Sequence, residues 1–193
     1  MAAFLSLLSM PQVTLGKFSY THLYNCRLTV HDSGGLATSG DPSGMCSSSP
    51  GQVYARAGAH NGAYAIMYSW YMPKDSPGPG LGHRHDWENI VVWLSAQSTT
   101  ATIRGVAISA HGDYQKVTKP NLDGTRPLIG YRSIFPVNHQ LISTTTKGGE
   151  QPVIAWDSMP AAAKSAIENT DFGDATPSFR NSNFESYLTD AFI

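Results

Sequence analysis

Residues 62 to 94 constrain the fold more than any other part of the chain. Gly62-Ala63-Tyr64-Ala65-Ile66-Met67-Tyr68-Ser69-Trp70-Tyr71-Met72 sets bulky Tyr64, Ile66, Tyr68 and Trp70 against Ala63, Ala65, Met67 and Ser69. Alternation with a period of two is the mark of a long β-strand with one bulky face. Pro73-Lys74-Asp75-Ser76-Pro77-Gly78-Pro79-Gly80 then breaks it, because a Pro/Gly turn continues neither strand nor helix. Beyond the turn, Asn89-Ile90-Val91-Val92-Trp93-Leu94 is β-branched and aromatic, a second strand. The order strand, loop, strand places Asp75 opposite whatever opens that second strand.

What opens it is Gly82-His83-Arg84-His85-Asp86-Trp87-Glu88, with two imidazoles, two carboxylates, a guanidinium and an indole in seven positions. With the strand beginning near Asp86, Asp86 and Glu88 point to the same face. Side-by-side carboxylates repel unless positive charge lies between them. That charge is either a divalent cation or the neighbouring Arg84 and histidines. Oxygen ligands with one imidazole suit Mg2+ or Ca2+ better than zinc, and there is no His-Glu-x-x-His and no distant thiolate pair. A solvated ion-pair network at a strand start is the plainer reading of the same residues. Asp75 joins as a third carboxylate, although an Asp before Ser-Pro is also an ordinary turn former.

These blocks carry a resemblance. Ala65–Pro77 followed by Gly82–Glu88, together with Ser109-Ala110-His111-Gly112-Asp113-Tyr114, Phe135-Pro136-Val137-Asn138-His139 and Asn169-Thr170-Asp171-Phe172-Gly173, resembles the necrosis- and ethylene-inducing peptide 1-like proteins over roughly residues 33 to 193. Those are secreted cytolysins of plant-associated microbes. The resemblance implies a divalent cation, Mg2+ or Ca2+, in an acidic surface cavity held by Asp75, His83, Asp86 and Glu88, with the imidazole acting through a bound water. It implies His85, His111 and His139 as surrounding groups, and Arg84 and Trp87 as structural residues, pairing charge across strands and filling core. The implied partners are glycosylinositol phosphorylceramide sphingolipids of plant plasma membranes and a plant immune receptor reading the Ala65–Pro77 segment. Phe135 stands where relatives often carry Trp, on a loop beside the cavity that dips into the lipid interface; a core Phe ending the Ile129–Ile134 strand is the alternative.

Charge and length narrow the classes. At 193 residues and a net charge of −1, the chain has room for one core and no electrostatic case for nucleic acid or anionic lipid. No run approaches 18 apolar residues, so a transmembrane helix is excluded and membrane contact would be peripheral. The expected state in solution is a monomer. Cys26 and Cys46 are the only cysteines. In a composition typical of secreted proteins they read as one disulfide, as family members carry in this region, and closing the loop stabilises by roughly 3 kcal/mol. Ala2–Met10 is apolar but has no Lys or Arg before it, a poor signal peptide. Residues 1–25 also lack the acidic, Pro-rich opening of the family and stand apart from a single domain over 26–193. Secretion is implied by the family and by the rest of the chain.

Further β-rich runs lie at Gln12–Tyr20, Gln52–Ala57, Ile103–Ser109, Leu128–Phe135 and Pro152–Ala155, punctuated by turns every 8 to 20 residues, the pattern of a two-sheet β-sandwich. Helices are expected at Met159–Glu168, capped by Asp157, and at Asn183–Ala191, opened by a Ser182-x-x-Glu185 capping box, with Phe184, Tyr187, Leu188 and Phe192 as an apolar stripe against a sheet. A sandwich flanked by a few helices agrees with the family fold, which resembles fungal lectins and sea-anemone cytolysins. Three functions follow: a metal-dependent lipid-binding toxin, a non-cytolytic carbohydrate-binding module, and a metal-dependent hydrolase with His85 or Asp86 as base.

Overall fold

Two β-strands of 13 and 12 residues form the centre of the molecule. In the computed structural model, which describes residues 14–16, 34–39, 52–76, 78, 80–134 and 138–193, these are β3 (Ala63–Asp75) and β4 (His83–Leu94). They pair antiparallel from Tyr64–Leu94 to Asp75–His83, so a hairpin closes at the Pro/Gly turn as expected, but β3 runs on through Pro73 to Asp75 and β4 already begins at His83 rather than near Asp86, because pairing between the two strands carries the ladder past the proline. Around them β2 (Val53–His60), β5 (Ile103–Ala110), β6 (Asp113–Val117) and β11 (Val153–Ala155) complete a sheet of order β11-β2-β3-β4-β5-β6. A second sheet joins β1 (Thr14–Gly16), β7 (Leu122–Asp123), β8 (Arg126–Ile134), β9 (Asn138–Ser143) and β10 (Gly148–Gly149) in the order β10-β1-β8-β7, with β9 on β8.

The period of two in β3 and β4 divides the apolar residues between two cores. Ile66, Tyr68, Trp70 and Met72 with Ile90, Val92 and Leu94 face the second sheet and meet Ile129, Tyr131 and Leu141. Met67, Tyr71, Trp87, Val91 and Trp93 face the other way, against Phe172, Phe179, Phe184 and Leu188. The chain is therefore mainly β: two packed sheets, with helices on one outer face. The segment Ala65–Asp75 lies within β3 and is buried apart from half-exposed Lys74. Any receptor reading it must meet unfolded or cleaved chain.

Some local expectations need correction. The first helix, α1 (Ala161–Asn169), starts after Pro160, and Asp157 sits in a preceding 3-10 turn (Trp156–Ser158) without capping it. The second, α2 (Phe184–Ala191), has Asn183 at its N-cap with no side-chain cap bond. Ser182 donates to Asn183 Oδ1 and Glu185 approaches His60, so no capping box forms. The stripe on α2 does pack on the sheet as its spacing demands. Strands β6, β7, β9 and β10 were not foreseen; they are short or polar and carry little alternation. Cys26, Cys46 and Phe135 lie outside the described residues, as do all of residues 1–25 except Thr14–Gly16.

Candidate functional site

In an unbroken strand His83, His85 and Trp87 would share one face, and Asp86 and Glu88 the other. The β3–β4 ladder is irregular at this point. The register passes from Met72–Asp86 to Lys74, which faces both His85 and Arg84, and then to Asp75–His83. His85 takes φ +62°, a left-handed conformation that non-glycine residues rarely adopt and that bulges use to re-aim side chains. Beyond the bulge, Asp75 and His83 line the same cavity as Asp86 and Glu88. The His85 ring goes to the opposite face, stacked edge-on against Phe172, with Nδ1 2.6 Å from the Tyr71 hydroxyl. Its side chain does not line the cavity; the part of His85 nearest the expected surrounding role is its carbonyl, which accepts from His83 Nδ1.

The cavity, about 430 Å³, opens where the core between the sheets ends. Six carboxylates line it (Asp75, Asp86, Glu88, Asp113, Asp174 and Asp190), together with His83, His111 and His139, and none of the lining residues is Lys or Arg. Asp75 and Glu88 are buried. Burial first and the charge of Asp75 second push the Asp86 carboxyl up to about 6. Burial and the charge of Asp86 hold Glu88 well above the usual carboxylate range.

Each acid has a protein donor. His139 Nδ1 donates to Asp75 from β9, and the His139 ring stacks on Tyr131 of β8 with centroids 5.2 Å apart. Tyr131 bonds Asp86 through its hydroxyl, and Asp86 also accepts the Trp87 N–H at 2.8 Å. Ser109 donates to Glu88 and accepts the Asn89 N–H at 3.0 Å, while Tyr114 donates to Asn89 Oδ1. The second sheet thus orients two of the three central carboxylates. His83 Nδ1 lies 2.8 Å from the His85 carbonyl, which can only accept, so the proton is on Nδ1. The lone pair of Nε2, 3.9 Å from Asp75 Oδ2, is left for a ligand or its water. His111 occupies the β5–β6 turn with φ +53°, exposed at the cavity rim.

Arg84 and Trp87 have clear places. Arg84 donates to the carbonyls of Gly34 and Gly35, so it binds backbone rather than pairing charge across strands. Trp87 fills core between Tyr54, Tyr71, Phe172 and Phe179. Ser109, Asn89 and Tyr131 had not been singled out. Tyr131 carried a faint signal, two residues after Ile129 on an alternating strand, but nothing in the sequence set it against Asp86.

As the side chains stand, no three His, Cys, Asp or Glu groups among the described residues meet in ion-binding geometry. The donor set nonetheless fits a hard divalent cation. Three carboxylates crowd together at a cost that two positive charges would relieve, the nitrogen donor is peripheral, and there is no sulfur. An ion would draw Asp75 and Glu88 from His139 and Ser109.

Comparison with known proteins identifies the family and the fold. The family model described as necrosis inducing protein (NPP1) matches residues 29–191. NLP effector protein 10 of Phytophthora capsici is 47% identical over 165 residues, 82% of this chain and 70% of that protein. The necrosis-inducing protein NPP1 of Phytophthora nicotianae is 46% identical over 83% of this chain and 70% of its own. Among solved structures, one described as "Toxin fold as basis for microbial attack and plant defense" superposes with a TM-score of 0.81 at 43% identity, covering 97% of this chain and 89% of that one. NLPPya in complex with mannosamine gives 0.78 at 42%, covering 97% and 88%. The non-toxic HaNLP3 gives 0.79 at 37%, covering 95% and 87%. A model matching most of the chain, with relatives near 45% identity, leaves no other assignment: the chain belongs to the family of necrosis-inducing proteins.

Proposed function

We propose that this protein is a secreted cytolytic effector that binds the sugar headgroup of plant glycosylinositol phosphorylceramide sphingolipids through a divalent cation and then perturbs the membrane. The observation that carries this is the cavity at the open end of the sandwich, where Asp75, Asp86 and Glu88 stand with His83 and no basic side chain lines the wall. Asp75, Asp86 and Glu88 would hold Mg2+ or Ca2+, with His83 reaching it through water. The ion would supply a coordination site for sugar hydroxyls. Asp113, Asp174 and His111 at the rim are hydrogen-bonding groups for the remainder of a glycan, and the related NLPPya was solved with an amino sugar. No helix of the described residues is long and apolar enough to cross a membrane, so contact would be at the surface, with Phe135 as the apolar wedge. Residues Ala65–Ser76, buried apart from Lys74, would reach an immune receptor only after unfolding or cleavage.

A second reading, a non-cytolytic carbohydrate-binding protein, is favoured by the likeness to non-toxic HaNLP3. Hydrolysis has less support. Of the two candidate bases, the His85 ring is turned away from the cavity to Tyr71, and only Asp86 lines it. Dye release from vesicles containing plant sphingolipids, with and without chelator, tests the proposal. Chelator-sensitive leakage is expected. Chelator-sensitive binding without leakage would favour the second reading, and sugar released into solution would favour hydrolysis.

A further inference from the structure

The turn between Asp75 and His83 has little to hold it. Its described residues Ser76, Gly78, Gly80, Leu81 and Gly82 include three glycines, two of them at positive φ (Gly80 and Gly82), and Leu81 is 52% exposed. Such a segment carries high backbone entropy, yet both of its ends are residues of the acidic cavity. What ties it down comes from residues 34–39, which cross it. Leu36 N–H donates to the Pro73 carbonyl at 2.7 Å, and Gly80 N–H to the Thr38 carbonyl at 2.9 Å. Ser76 Oγ lies 3.1 Å from the Gly78 carbonyl and 3.4 Å from that of Thr38.

Arg84 fixes the other end of the crossing segment. Its Nη1 donates to the Gly34 carbonyl at 2.7 Å and the Gly35 carbonyl at 3.2 Å. No carboxylate lies within ion-pair distance of it among the described residues, and both bonds to the strap come from Nη1. The approach is close. Gly35 has φ +67°, and a Cβ there would stand 2.4 Å from Arg84 Cγ and 2.8 Å from His85 Cε1. Only glycine fits between the Arg84 stem and the His85 ring.

We propose that Arg84 is a positioning residue for the cavity: it staples residues 34–39 across the turn and so steadies the end of the β3–β4 ladder where Asp75 pairs with His83. This rests on the reading of the cavity as a cation site. Arg84 touches no ion and no sugar in this scheme; it acts through the strap.

Calcium titration by calorimetry on the full chain tests it, with amide hydrogen exchange measured on the same samples. Arg84→Ala should weaken Ca2+ binding about tenfold and speed exchange at Leu36 and Gly80. Gly35→Ala should do the same from the strap side. Because both act through one contact, the double variant should lose no more affinity than either single one. Arg84→Lys, which keeps the charge but not the guanidinium, should recover less than half of the loss in binding free energy. Wild-type affinity in Arg84→Ala, additive losses in the double variant, or full recovery by Lys would overturn the proposal. If the wild type takes up no calcium, the cation reading fails separately, and unchanged exchange at Leu36 and Gly80 in Arg84→Ala would then overturn the staple on its own. Should Gly35→Ala not fold, Gly35→Ser is no rescue; Arg84→Ala and Arg84→Lys carry the test alone.

Discussion

Asp86 shows how one side chain links fold, ion and pH. Its carboxyl titrates near 6, raised by burial first and by Asp75 second, whereas in an unfolded chain it would titrate near 4. The folded, metal-free protein therefore holds a proton that the unfolded chain releases. Stability from that proton is full below the unfolded value and is lost as pH rises through 6. Chelated protein should melt at a higher temperature at pH 5 than at pH 7, and Asp86→Asn should flatten the slope. Equal midpoints in the wild type would argue against the carboxylate crowding. Ion binding runs the opposite way, because protons and cation compete for the same oxygens. Ca2+ affinity should fall about tenfold per pH unit below 6. Asp86→Ala and Glu88→Ala should each abolish Ca2+ binding and dye release, while the metal-free midpoint holds or rises. A variant that keeps full leakage would refute the assignment of these carboxylates. Tyr131→Phe leaves the acids in place but removes the hydroxyl that orients Asp86, so Ca2+ affinity should weaken by about 1 kcal/mol, read by titration.

The hairpin of β3 and β4 supplies most of the site, and it was also the most legible part of the sequence. Alternation at Tyr64, Ile66, Tyr68 and Trp70 gave the first strand, and the β-branched, aromatic run Asn89–Leu94 gave the second together with the shared face of Asp86 and Glu88. The bulge was not legible, because an irregular register depends on partner strands and on the close fit of Gly35, none of which leaves a periodic trace. Hence nothing in the sequence showed that the His85 ring, expected among the groups surrounding the ligands, turns to the opposite face and bonds Tyr71. The contributions of β8 and β9 were equally hidden, since Tyr131 and His139 reach the acids only through the packing of one sheet on the other. The helix caps misled for another reason: Asp157 and Ser182 are good cap residues whose side chains found no helix N–H in place. On the other face of the sheet, α2 inserts Phe184 and Leu188 into the outer core, while its Tyr187 and Asp190 line the cavity wall away from the three central carboxylates. Leu188, fully buried, should cost about 2–5 kcal/mol when replaced by Ala, measured by denaturant unfolding. Ca2+ affinity of the folded variant should be unchanged. A parallel loss of affinity would mean that the outer core and the cavity are coupled.

At the scale of the whole molecule, the proposed cation would make stability depend on ion concentration. It sits where the two sheets part, with Asp75, Asp86 and Glu88 from one sheet and His139 and Tyr131 from the other. Charge repulsion there opposes closure of the sandwich, and a bound cation would reverse the sign of that contribution. An ion that binds only the folded chain stabilises it by RT ln(1 + [ion]/Kd), about 2.7 kcal/mol at a hundredfold excess over Kd. Adding a chelator to the wild type should therefore lower the thermal midpoint, and restoring Ca2+ or Mg2+ should return it in proportion to the logarithm of concentration. Asp86→Ala, which lacks a central ligand, should show the same midpoint in chelator and in calcium. The pair of melts separates a specific site from general screening, because ionic screening would shift both proteins alike. A wild-type midpoint indifferent to chelator at an ion level that supports leakage would remove the cation from the folded protein's energetics and leave it a role only at the membrane.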